Sequence, residues 1–431
     1  MTKRLYISQD SVYKEAVSRD YFNDRKLQVQ EFDDIVAVPD STIKGGIYSI
    51  KTHKMLATMD REAQNQAFCI DESLVTSAIN VDESVIFGGH SYTHFGHLML
   101  EGLSRLWYIA QNPADTRKII YIACGEWGEK TATKEKLYEF FKLLNVDKSR
   151  VLIIEKPVKF THISIPEVSY RVWESYTKEY PQLYRHFAQG ANTLCKGELS
   201  FDKIYLSHSK WGHRAEQCFL NEQIYENFFK KLGYEIIYPE EHSVAKIAYL
   251  MSNAKEVATT MGSTAHLALF CKEKTRFIIL TRECNSSPAL IPQCLINQAM
   301  NLEWFIINAN LNFLPSFDQG TGWGVVNFAF TDDFKAFVRE HFVGDFESEL
   351  SQTTNTLAFL KAWVQFYSKP EYFKRILANY TAFDFVNKLS QVLFGTTLDK
   401  TLFVESVPTQ PTKRKEKWYK RFLRHLKKMK F

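Results

Sequence analysis

Residues 90–107, "HSYTHFGHLMLEGLSRLW", place three histidines, a glutamate and an arginine among apolar residues. On a helix, His90, His94, His97, Glu101 and Arg105 fall within roughly ±40° of one line. Phe95, Leu98, Met99, Leu103 and Leu106 occupy the flanks. Three chemistries compete for this stripe. The pattern HxxHxxxE could ligate a metal, but the zinc-protease signature sets His at i and i+4 with the Glu beside the first His. A solvated helix face held by a Glu101–Arg105 pair is the plain alternative, although such faces are normally rich in Lys and Glu. A face turned into a cleft would offer imidazole and carboxylate as a general base near neutral pH. His90 comes directly after "GG" and reads as the lead-in turn.

A second stretch, "TTMGSTAHLALF", reads as a strand running into Gly262, with Ser263 and Thr264 opening a helix. Glycine lets a backbone approach closely, Ser or Thr caps the helix, and free N–H groups with the dipole favour an anion. A diphosphate at the carboxyl end of a strand in an open α/β sheet obeys the switch-point rule; an ordinary helix cap is the alternative. "YLSHSKWGHRAEQCFLNEQIY" (205–225) carries a polar loop with His208, Lys210, His213 and Arg214, then opens a helix at Asn221 and Glu222. Cations there would neutralise a leaving diphosphate; a solvated basic loop is the competing account. No P-loop and no GxGxxG occurs, so neither a kinase-like NTPase nor a dinucleotide site is supported.

Elements must hold these residues in place. "KIIYIAC" (118–124) and "RVLIIE" (150–155) read as buried strands around a helix at 132–146, the signature of a parallel sheet. The first 90 residues alternate short β-like runs, such as "ESVIFGG", with turn signals. Strands are expected at 202–207, 234–239, 255–262 and 276–281, with helices at 221–233, 243–254 and 263–274 between them. That second series is Rossmann-like. Residues 167–200 look helical and bridge the two halves, and the pattern after 331 is helical. The 431 residues exceed a single core of about 250–300. We expect an α/β protein with an N-terminal domain at 1–195, a Rossmann-like domain at 196–330, a helical region at 331–406 and a tail at 407–431.

The formal charge of +5 conceals an asymmetry. Residues 412–431 hold ten Lys/Arg and one acid, leaving the rest of the chain at a net −4. Trp418, Phe422, Leu426 and Met429 in the tail sit at helical spacing among the basic residues, after the linker "VPTQPT". Such a helix suits an anionic membrane surface, and the acidic body offers no second basic surface for nucleic acid. Seven scattered cysteines without a CxxC argue against a disulfide scaffold. The N-terminus lacks a signal-peptide core, and no window reaches 18 apolar residues. The expectation is a cytoplasmic protein, peripheral on the inner face of the plasma membrane through 413–431.

At these residues the chain resembles glycosyltransferase family 61, the group that includes bacterial capsular polysaccharide biosynthesis proteins. Three blocks carry the resemblance. "YTHFGHLMLEGLSRLW" places His97, Glu101 and Arg105 on the family's His, acid and Arg. "KIYLS…LNEQIYENFFKKLGYEIIYPEEHS" is similar to its strand, Asn-Glu helix, Gly-aromatic and Pro-Glu sequence. "LMSNAKEVATTMGSTAHLALF" resembles its closing block. His208 stands where the family usually has arginine, Met261 where it has His, and Leu267 where it has Asn. The resemblance implies a GT-B-like fold, two Rossmann-like domains facing across a cleft. It implies inverting transfer from a nucleotide sugar, UDP- or CMP-linked, to a glycan or lipid-linked acceptor, with no obligatory metal; no DxD motif occurs. Glu101 or His97 would be the base and Arg105 its orienter. Donor contacts would come from Ser207, Lys210, Arg214, Asn221, Glu222, Glu240, Gly262, Ser263 and Thr264. A non-catalytic glycan- or nucleotide-binding component and a metal-dependent hydrolase are the alternatives.

Overall fold

The computed structural model describes residues 5–7, 11–39, 45–58, 68–123, 130–211, 219–282, 289–311, 325–352 and 356–368, with short pieces at 386–387, 390–391 and 396–398. The chain is α/β and divides into two compact units. The first comprises Met1–Ser207, Glu226–Thr281 and Ala289–Ile307; the second comprises His208–Tyr225, Arg282–Pro288 and Asn308–Phe431.

The first unit holds both large sheets. One has six parallel strands in the order Leu5–Tyr6, Glu303–Ile307, Arg276–Leu280, Glu256–Thr260, Lys203–Leu206, Glu235–Ile237. Four of these lie close to the ranges expected from sequence, because runs such as "RFIIL" are apolar on both faces, as a sheet covered on both sides requires. The edge strand Leu5–Tyr6 is a surprise. Only two residues long, it shows no periodicity, and it joins this sheet rather than the one built from the neighbouring sequence. Helices Glu179–Leu194 and Val244–Asn253 pack on each other and on Lys130–Leu143 in one core. Ser243 caps Val244–Asn253 by accepting from Lys246 N–H at 3.2 Å.

The other sheet has seven strands in the order Met55–Ala57, Gly46–Ser49, Val29–Val38, Val158–Pro166, Ile79–Ser91, Lys118–Ala123, Val151–Ile154. From Val158–Pro166 onward the pairings are parallel; the other three are antiparallel. The bridging segment is not all helix. A two-stranded hairpin, Tyr170–Arg171 with Ser175–Tyr176, precedes Glu179–Leu194.

On this sheet His162 sits between Asp33 (Nδ1 to Oδ1, 2.8 Å) and Glu31 (Nε2 to Oε2, 2.9 Å). The bond to Asp33 above all, with help from Glu31, raises its pKa against a smaller opposing desolvation. A histidine raised above its unfolded value contributes stability fully present below about pH 6.5, and loses it as pH rises through the folded pKa. His162→Gln is therefore expected to remove a component of stability seen in acid but not at pH 8. Urea unfolding at pH 5.5 and 8 checks it; an equal loss at both pH values would count against the ion pair.

In the second unit, Phe219–Leu220 pairs in parallel with Val326–Asn327. The hydroxyl of Tyr225 lies within hydrogen-bonding distance of the carbonyls of Ala309 (3.1 Å) and Ala329 (2.5 Å). Helices Asp332–His341 and Thr356–Tyr367 come next, the first capped by Thr331 accepting from Phe334 N–H at 3.1 Å. Within the expected 331–406 region Asp332–His341, Glu347–Leu350 and Thr356–Tyr367 are helical; the basic tail and its linker lie outside the described residues. Among the described residues no helix is long and apolar enough to cross a membrane.

Candidate active site

The polar stripe does not sit on one regular helix. His90 belongs to the strand Ile79–Ser91, a short helical turn covers Phe95–His97, and a π-helical turn covers Leu98–Gly102. Leu103 N–H bonds to the carbonyl of Leu98, five residues back, at 3.1 Å. A π-turn carries one residue more than an α-turn, so the residues after it are rotated by about 100° relative to a regular helix. Glycines make the turn possible. A Cβ on Gly102 would stand 3.0 Å from the His90 carbonyl oxygen, and Gly89, at φ +127°, faces the Gly102 carbonyl from the strand side.

The rotation sorts the stripe. His97 and Glu101 remain together, Nδ1 to Oε2 at 2.6 Å. Arg105 reaches the Pro166 carbonyl oxygen and lies over the Phe87 ring, 5.1 Å from its centroid. It therefore ties the segment after the π-turn to two strands of the sheet. The expectation that five groups share one face is corrected accordingly: the face is broken between Glu101 and Arg105.

The pair is asymmetric. The Glu101 side chain is 0% exposed and that of His97 is 38% exposed. A buried carboxylate needs a charge-assisted partner, and His97 is one. Around it the sheet and helices supply tyrosines. Tyr184 donates to the Met99 carbonyl at 2.5 Å, inside the π-turn. Burial first, then neighbouring tyrosines and the Glu101 carboxylate, push the Tyr180 phenol well above its usual range, so it stays protonated. Rings run outward from the strand end in sequence: His90–Tyr92 at 6.3 Å, Tyr92–His97 at 5.8 Å and His97–His94 at 5.0 Å. His94 is exposed.

The six-stranded sheet brings its own loop to this place. A Cβ on Gly96 would lie 2.8 Å from Ser263 Oγ and 3.2 Å from the His94 ring. Gly96 is therefore what lets the Ser263 turn sit against the Phe95–His97 turn. The turn comes after Glu256–Thr260, and Gly262 has φ +136°, a backbone that favours glycine. The long helix expected after it is a 3-10 segment of six residues, Ala265–Phe270, and Thr264 at its start makes no side-chain cap. Ser263 and Thr264 are part-exposed residues of a tight turn rather than caps of an α-helix. "AHLALF" is wholly buried, and an amphipathic reading could not foresee that.

Strand order explains why these loops matter. From Lys203–Leu206 the chain moves to one side, to Glu235–Ile237, then returns past its start to Glu256–Thr260 and continues the other way. The order reverses between Lys203–Leu206 and Glu256–Thr260, where open α/β sheets bind ligands at the strands' carboxyl ends. Ser207 and Met261–Ser263 leave the sheet there. Ser207 is enclosed and donates to Glu226 Oε1 at 2.5 Å, so it fixes the strand end to a helix. Glu240 is exposed in the turn Pro239–Glu241.

The remaining donor-side expectations fall in the second unit. Glu222 is buried; its carboxylate accepts from His208 N–H at 3.2 Å and lies 3.8 Å from His208 Nδ1, bracing the loop. Asn221, at φ +67°, donates to Asn327 Oδ1 at 2.8 Å. Lys210 is exposed, and Arg214 lies outside the described residues. The sequence reading missed Glu226, Phe219 and Arg282. Glu226 has a signal in hindsight, a carboxylate one turn after Glu222 on the same helix. Arg282 has none, since only the fold brings it to the Phe219 ring.

Among the described residues no group of three or more His, Cys, Asp or Glu is arranged to hold a metal ion. No curated protein matches the chain. Residues 95–278 match the family described as Glycosyltransferase 61, a span that includes His97, Glu101, Arg105, both strand ends at the reversal and the Ser263 turn. Such a family implies, in general, a nucleotide-sugar donor and a glycan acceptor. Through this segment, 184 of its 431 residues, the chain is similar to glycosyltransferase family 61.

Proposed function

We propose that the protein is an inverting glycosyltransferase of bacterial capsule or surface-polysaccharide assembly, with a GT-B-type arrangement. The observation that carries the mechanism is the half-exposed His97 backed by the enclosed Glu101. The acceptor hydroxyl oxygen attacks the anomeric carbon while the bond from that carbon to the diphosphate oxygen breaks. The hydroxyl proton passes to His97 Nε2, the ring nitrogen away from the carboxylate. Glu101 holds the ring's tautomer and stabilises the imidazolium that forms, as an acid does behind a catalytic histidine. Glu101 is then a positioning residue and His97 the base. The Gly262–Thr264 turn receives the diphosphate, a role in which no metal is obligatory.

The test is a panel of UDP- and CMP-sugars with lipid-linked and free glycans, read by release of nucleotide and by the anomeric configuration of the product. Retention of configuration, or nucleotide binding with no transfer to any acceptor, would sink the catalytic reading; the latter result fits a binding component instead. Turnover that vanishes in EDTA and returns with a divalent cation would overturn the metal-free part.

The tail at 413–431 is proposed to dock the enzyme on the inner face of the plasma membrane, close to a lipid-linked acceptor. Each basic group near an anionic surface contributes about 1 kcal/mol. Deleting 413–431 is expected to abolish pelleting with anionic liposomes at physiological salt while leaving turnover on a soluble acceptor intact. Pelleting that persists would place the membrane contact elsewhere.

A further inference from the structure

The second unit carries an aromatic and cationic stack that the acid–base chemistry of His97 and Glu101 does not use. His208 stacks on Phe219 with centroids 5.0 Å apart and planes at 22°. Phe219 in turn stacks on Phe328, at 6.5 Å and 13°. Trp211 packs against both His208 (5.9 Å) and Phe219 (6.3 Å). The guanidinium of Arg282 lies over the Phe219 ring, 5.3 Å from its centroid.

Three rings of this stack, His208, Phe219 and Phe328, are buried, whereas Trp211 is 42% exposed. The stack therefore ends in a large ring open to solvent. It is also rigid. Buried Glu222 accepts from the backbone of His208, Trp211 N–H bonds to the His208 carbonyl at 2.9 Å, and Phe219–Leu220 is held in a strand pair. A braced indole with one side on other rings is what a flat, uncharged heterocycle stacks on, and such stacking tolerates any base. A guanidinium is the cation best matched to phosphate oxygens, and it stays charged at every relevant pH. In sequence His208–Trp211 follow the strand Lys203–Leu206, and Arg282 follows the strand Arg276–Leu280.

We propose that Trp211 stacks on the base of a nucleoside diphosphate and that Arg282 neutralises its diphosphate. Arg282 brings a cation to the ring stack, over Phe219. This inference rests on the glycosyltransferase reading, because it identifies part of the donor site.

The test is calorimetric titration of the full chain with UDP, GDP, ADP, CMP and inorganic pyrophosphate. For whichever nucleotide binds, Trp211→Ala is expected to weaken binding about tenfold or more, with pyrophosphate binding unchanged. Arg282→Ala is expected to weaken nucleoside diphosphate and pyrophosphate alike by a similar factor, with Arg282→Lys in between. Trp211→Phe, which keeps a ring, is expected to hold affinity within about threefold while losing the ligand-induced change in indole fluorescence. If the parent chain binds none of the nucleotides, the nucleotide-sugar reading itself falls, and this inference with it. If the parent binds and both alanine variants bind as tightly, the inference alone is overturned. An equal loss of pyrophosphate affinity in Trp211→Ala, or an unchanged fluorescence response in Trp211→Phe, also overturns the assigned role of the indole.

Discussion

Glu101→Gln is expected to lower turnover by about a thousandfold while KM for the donor stays within a factor of a few. Glutamine fills the same space, but it no longer carries the charge that stabilises His97 as it takes a proton. Losing the orienting acid behind a catalytic histidine costs up to about 10⁴ in rate, and losing a general base costs about 10²–10⁴. His97→Ala is expected to lower turnover by a comparable factor. The two variants should part in stability. His97→Ala leaves the enclosed Glu101 carboxylate without its 2.6 Å partner. Loss of a hydrogen-bond partner by a buried acceptor costs up to about 1–3 kcal/mol, more if charged. Glu101→Gln removes the charge instead of stranding it and should be neutral or slightly stabilising. Denaturant melts of both proteins alongside their kinetics separate the possibilities. If both lose stability and neither loses turnover, the pair is a fold element and not a catalytic one.

Gly190→Ala is expected to destabilise the protein by about 3 kcal/mol or more, a large share of the usual margin of about 5–15 kcal/mol. Gly190 lies inside Glu179–Leu194, where alanine would normally be favoured by about 1 kcal/mol on helix propensity. Here the propensity gain loses. A Cβ would enter the carbonyl oxygen of Leu143 and stand 2.7 Å from its carbonyl carbon. Leu143 ends Lys130–Leu143, so backbone rather than a flexible side chain would have to move. Overpacking a core costs about 1–3 kcal/mol even when side chains can shift. Gly197 is the control. It has φ +87° and nothing within 4 Å of an added Cβ, so Gly197→Ala should cost only about 1 kcal/mol of backbone strain. Urea denaturation of the three proteins checks the ranking; equal midpoints for the two variants would refute the close packing at Gly190.

Much of the site was legible because its parts are local. His97 and Glu101 are four residues apart within little more than a turn, and a pair that close survives the change from α to π geometry. Arg105 did not keep its expected place, because a periodicity argument assumes every intervening residue is helical. Gly102 and its close approach to the strand end violate that assumption. The strands Lys203–Leu206 and Arg276–Leu280 were readable from the apolar runs "IYL" and "FIIL", since burial on both faces favours apolar residues. "STAHLALFCKEK" misled for the same reason: a fully buried 3-10 segment has no polar face to show its period.

The amino-acid sequence by itself determined which chemistry the chain carries: an imidazole and a carboxylate at turn spacing, a glycine-bearing turn after a strand, and the family segment around them. Local spacing encodes these, and they hold wherever the chain folds. What only the tertiary structure decided is which groups meet and how each is exposed. Ser263 reaches the Phe95–His97 turn through the space at Gly96, Glu101 is enclosed while His97 is not, and Arg282 arrives over Phe219 from a distant part of the chain. Those facts depend on strand order and close packing, which arise from contacts between distant residues and leave no periodic trace in the sequence.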